Sequence, residues 1–151
     1  MRRVVFATIA LLVGNTALLL FLLLNGFRVR ALLLKAHRGE PHLVLAQMWE
    51  TFRLYAMFSI VGWVLVGVPT ALAFPHHLLL RVGWPARVVI GAAMGPLALL
   101  LIFVVLFAAQ GRLGEFSLAH TEGLWPFSTL VSTVSFLAYT ALLRRRSYMN
   151  R

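Results

Sequence analysis

The 151-residue sequence has no cysteine, and its only acidic residues are four glutamates. Without cysteine there is no disulfide framework, no lipoprotein anchor and no thiolate metal site, so the redox compartment stays open. Charged residues of both signs make up only 12% of the chain, while 61% is hydrophobic. Soluble domains carry about 25% charged residues and about 45–50% apolar ones. So little polar surface argues against a soluble enzyme, a disordered tail or a free nucleic-acid-binding module, and points to a protein whose solvent is lipid.

The charge is also missing in particular places. Four stretches contain no Asp, Glu, Lys, Arg or His: residues 4–24, 54–74, 88–109 and 124–143. Each is long enough to cross a hydrocarbon core of about 30 Å as a helix, which needs about 20 residues. Backbone groups in lipid must be satisfied internally, so helices are expected, and the alternating pattern of a membrane barrel is absent. The first stretch exceeds the usual apolar core of a signal peptide and is followed by Asn25-Gly26-Phe27-Arg28 rather than a small-residue cleavage motif, so a retained helix is expected. The expected fold is an all-α integral membrane four-helix bundle in a single membrane domain.

What is present sits at the ends of these spans. Trp49, Trp84 and Trp125 lie near span boundaries, where an indole places its ring among headgroups and its N–H toward water; Trp63 falls inside the second span and reads as a packing residue. Arg144-Arg145-Arg146 directly follow the fourth span, and every glutamate lies in the first or third loop. The positive-inside rule then places both termini on the cytoplasmic side of a cytoplasmic (inner) membrane.

The first loop reads as two pieces. Residues 28–36 continue the first helix until Gly39 and Pro41 stop it. Residues 41–53 have Val44, Leu45, Met48, Trp49 and Phe52 on one face and Gln47, Glu50, Thr51 and Arg53 on the other. Pro41 suits a first helical position, and an interfacial amphipathic helix between the first two spans is expected.

Chemistry is mostly excluded. Transporters and pumps driven by ions commonly hold carboxylates or histidines at membrane depth, and this chain has none there. There is no HExxH, phosphate loop, GxGxxG or GxSxG. The one cluster with catalytic or ligating residue types is Glu115, His120 and Glu122, in a segment with no regular pattern to make them converge. His76 and His77 are adjacent, which is poor geometry for joint ligation, and His37 and His42 flank the Gly39–Pro41 break. No metal and no cofactor are expected.

The remaining features are those of helix packing. Gly91 and Gly95 form a GxxxG, followed by Pro96, which lets another backbone approach closely. Ser128, Ser132, Ser135 and Tyr139 run down one face of the fourth span beside Thr129, Thr133 and Thr140, and Asn15 in the first span is a candidate partner for them. The leading expectation is a non-catalytic multi-pass protein acting by helix packing, as an accessory subunit of a membrane complex or with a second copy of itself. The alternatives are a small channel or carrier for a neutral or weakly polar solute, using the hydroxyl face and the sites Gly67-Val68-Pro69 and Gly95-Pro96, and an interfacial enzyme using Glu115, His120 and Glu122. Membrane lipids are the expected surroundings. The +10 charge does not imply a nucleic-acid partner, because the basic residues are spread over both ends of the spans.

Overall fold

The computed structural model describes residues 2–36, 41–73 and 75–149. Seven α-helices follow in order: α1 (Arg2–Ala36), α2 (Pro41–Gly62), α3 (Val68–Ala73), α4 (His76–Arg81), α5 (Trp84–Ala109), α6 (Ala119–Glu122) and α7 (Trp125–Met149). A π-helical turn, Trp63–Gly67, joins α2 to α3, and a short 3₁₀ turn covers Leu113–Glu115. The architecture is an all-α four-helix bundle. Four helical stretches, 3–35, 43–73, 84–109 and 125–145, are each long and apolar enough to cross a membrane.

The spans expected from charge alone lie inside longer helices. At 1.5 Å per residue α1 extends about 52 Å, well beyond a hydrocarbon core. The helix expected at 41–53 begins at Pro41 and continues without a break to Gly62, so it forms the first turns of the second span's own helix.

Burial follows side-chain size more than polarity. Along α1 the buried positions are Ala10, Gly14, Leu18, Leu22 and Gly26, each four residues from the last. Along α5 they are Arg87, Gly91, Gly95, Leu99 and Ile102. Positions four apart share a helix face, so both stripes are continuous seams. α7 lies between them, with α1 on one side and α5 on the other, and α2 packs on α1. One end of the bundle gathers the start of α1, α4, the start of α5 and the end of α7. The opposite end carries the first and third loops.

Proline explains the π turn. Pro69 has no N–H, and in a regular helix its ring would clash with the carbonyl of Leu65. One extra residue in the turn widens it, and the N–H of Val68 donates to the carbonyl of Trp63, five residues back. Gly67 gives the Trp63 indole room: a Cβ there would stand 3.1 Å from Trp63 Cδ1.

Candidate functional site

The glycine contacts determine how the helices surround the centre. A Cβ on Gly95 would fall 2.2 Å from the backbone oxygen of Ser128, and one on Gly91 would fall 2.9 Å from Thr133 Cα. A Cβ on Gly14 would lie 2.1 Å from Ser135 Oγ and 2.7 Å from the Val131 carbonyl oxygen. The GxxxG therefore receives α7 of the same chain, and α1 meets α7 through a glycine of its own. Ser132 Oγ donates to the carbonyl of Gly91 at 2.6 Å, tying α7 to α5 at this close approach.

The other hydroxyls of α7 turn mainly onto their own helix. Ser128 Oγ donates to the Trp125 carbonyl at 3.0 Å, Thr133 Oγ1 to that of Thr129 at 2.6 Å, and Thr140 Oγ1 to that of Leu137 at 3.0 Å. Asn15 Nδ2 likewise donates to the Leu11 carbonyl at 3.0 Å, while its Oδ1 is buried without a protein partner. Asn15 is thus bonded within α1, and the hydroxyl face of α7 points into the bundle.

A cleft of about 170 Å³ remains between the helices. Its walls are Ala10 and Leu11 of α1, Trp63 and Val66 of the π turn, Leu99 of α5 and Ser135 of α7, among others, and almost all of the lining is carbon. Tyr55 and Phe58 lie at one end, Leu79 and Tyr139 at the other. The Tyr55 ring packs on Phe127 with centroids 4.7 Å apart, and its hydroxyl donates to the Gly123 carbonyl at 3.4 Å.

The side of the bundle between α2–α3 and α5 is unevenly joined. It is held where Phe58 stacks on Phe103, centroids 5.7 Å apart, and where Gly62 meets Ala98 and Ile102. Past Gly62, the π turn and α3 lean on α1 and barely touch α5 among the described residues. The cleft lies behind this loosely joined seam.

Two hydrogen-bonding atoms in the cleft wall lack a protein partner: Trp63 Nε1 and Ser135 Oγ, both buried at the atom level. A buried donor left unsatisfied costs about 1–3 kcal/mol, so native interiors keep few of them. Trp63 was expected only to pack. Its N–H instead stands in the wall of an internal space, on a turn whose geometry the sequence signals through Pro69 alone.

The remaining candidate residues are placed as follows. Glu115 is gripped by Arg112, whose Nε donates to Glu115 Oε2 at 2.9 Å and whose Nη2 bonds the same oxygen. Glu122 is exposed on α6, and the side chain of His120 lies outside the described residues, as do His37 and the side chains of His42, His76 and His77. Among the described residues no three His, Asp or Glu side chains converge on one point. Trp49 and Trp84 are exposed, as interfacial indoles would be. Trp125 is half-buried and donates its N–H to Thr121 Oγ1 at 3.0 Å rather than to water.

No family model, no curated protein and no solved structure matches this chain.

Proposed function

We propose that this chain is a multi-pass protein of a cytoplasmic membrane that binds a small, neutral, largely apolar molecule in the cleft between its helices. Such a molecule would accept one hydrogen bond from Trp63 Nε1 or Ser135 Oγ. The observation that carries this reading is the carbon-lined cleft with two unpartnered hydrogen-bonding atoms in its wall. Apolar cavities of about 150 Å³ stay dry and take up molecules such as benzene. A space of that size and character suits a compact lipophile and is unsuited to an ion or a column of water. The loose seam toward α5 gives such a molecule a route from the bilayer, consistent with a carrier or reservoir of lipophilic solutes. Assembly with a partner helix through the GxxxG is less favoured, because Gly91 and Gly95 already hold α7. Both termini are assigned to the cytoplasmic side on the strength of the arginines after the last span.

Trp63 supplies its own reporter. In a variant with Trp49, Trp84 and Trp125 replaced by Phe, bromobenzene should quench Trp63 emission saturably in lipid nanodiscs. Ala98→Leu, which places extra carbon in the cleft wall, should convert saturable quenching into the weak linear quenching of a bilayer-dissolved solute. Linear quenching in both proteins would refute the binding site.

A further inference from the structure

The end of the bundle opposite the glutamates carries a second feature, independent of the cleft. Every acidic side chain of the sequence, Glu40, Glu50, Glu115 and Glu122, belongs to the first or third loop. The start of α1, α4, the start of α5 and the end of α7 hold Arg2, Arg3, Arg81, Arg87, Arg144, Arg145 and Arg146, with no acidic side chain among them. One of these arginines is inside the protein. Arg87 is only 3% exposed, on the same α5 face as Gly91 and Gly95, and therefore turned toward α7.

Its position in the helix is unusual electrostatically. The first turn of a helix carries partial positive charge from its free N–H groups, and acidic residues are the ones favoured there. α5 has no acidic residue in its first turn and no side-chain cap from Gly83. Arg87 instead adds a full positive charge. Arg144, near the end of α7, lies close enough to Arg87 to repel it, and Arg3 approaches Tyr139 from α1. Carbonyls and hydroxyls can accept the N–H groups of guanidiniums, but as neutral groups they cannot cancel this accumulated charge.

We propose that Arg87 and Arg144, with Arg3 adding charge from α1, form a site for the phosphate of an anionic membrane lipid. A phosphate presents oxygens that match the planar donor fork of arginine two at a time. The height is right for a headgroup. Arg87 stands at the very start of the third span, three residues after Trp84, whose exposed indole is of the kind found at membrane interfaces. If both termini are cytoplasmic, this end also faces the leaflet that is ordinarily anionic. A lipid is favoured over free phosphate because the bilayer holds its headgroup beside the site, whereas an inorganic ion would have to leave water for a half-buried position.

The test uses the full chain in a neutral detergent. Short-chain phosphatidylglycerol, phosphatidylcholine of the same chain length and inorganic phosphate are titrated separately while thermal unfolding is followed, with native mass spectrometry counting bound lipid. Phosphatidylglycerol should bind and raise Tm; phosphatidylcholine and inorganic phosphate should do little at the same concentrations. One basic residue near an anionic lipid surface contributes about 1 kcal/mol, so Arg144→Gln should weaken binding about fivefold. Arg87→Gln should weaken it at least as much, Arg87→Lys less, and Arg53→Gln at the opposite end not at all. Arg144 is exposed, so its variant remains informative even if Arg87→Gln fails to fold. Equal binding of the two lipids, unchanged affinity in Arg144→Gln, or stabilisation by phosphate matching that by phosphatidylglycerol would overturn the assignment.

Discussion

Replacing Gly95 with alanine tests the central packing claim with a single methyl group. The new Cβ would stand 2.2 Å from the carbonyl oxygen of Ser128 and 2.5 Å from its carbonyl carbon, against 3.4 Å or more for ordinary contact. Neither atom belongs to a flexible side chain. The α5 and α7 backbones would therefore have to part by about 1.2 Å at this point, which also stretches the Ser132–Gly91 hydrogen bond one turn away. Overpacking of this kind costs about 1–3 kcal/mol, against a gain of up to about 1 kcal/mol from the better helix propensity of alanine. A net loss of about 1–2 kcal/mol is expected. Gly62→Ala is the matched control: its Cβ would meet Ile102 Cδ1 at 3.7 Å and Ala98 Cβ at 3.8 Å, both ordinary distances. Only the propensity gain should remain there, so the two identical changes should shift stability in opposite directions. Reversible unfolding in mixed micelles, followed by circular dichroism, measures both. A Gly95→Ala protein as stable as the parent would show that α5 and α7 do not approach through this glycine, and the arrangement of the bundle would fall with it.

Three further outcomes follow from named contacts. Ser132→Ala removes the hydroxyl that joins α7 to the Gly91 carbonyl and should destabilise the bundle by about 0.6 kcal/mol, the average for such bonds inside membranes, as read by the same unfolding assay. Gly14→Ala should be destabilising, and adding Ser135→Ala should restore only part of the loss, because the Val131 carbonyl oxygen would still stand 2.7 Å from the new Cβ; full rescue in the double-mutant cycle would contradict that geometry. Glu115→Gln should change stability by less than about 1 kcal/mol, since the Arg112–Glu115 pair is largely exposed, and a larger loss in thermal unfolding would mean the third loop is built more tightly than its exposure suggests.

The Glu115–His120–Glu122 cluster shows where sequence order misleads. The residues are close along the chain, yet Glu115 is engaged by Arg112, three positions away, and Glu122 sits exposed on a separate short helix. The GxxxG shows the converse. The motif was legible as a site of close approach, but whether its partner was another chain or α7 could not be read from spacing, because small residues admit any backbone. Gly14 carried no motif of its own. Its role emerges only within the stripe Ala10, Gly14, Leu18, Leu22 and Gly26, which is invisible to a polarity pattern when every neighbour is apolar as well.

By itself the sequence determined the solvent, the number of spans and the charged character of each end. Those depend on the transfer of charged and backbone groups into hydrocarbon, a large effect that acts on each segment separately. Only the tertiary structure decided which faces meet, that a cleft remains beside Trp63 and Ser135, and that Arg87 is turned inward. In lipid the inner and outer faces of a helix are equally apolar, so burial leaves no polarity signal along the chain. The choice among faces is made by shape, through glycines that admit a neighbouring backbone and a proline that widens one turn, and shape complementarity exists only once the helices are together.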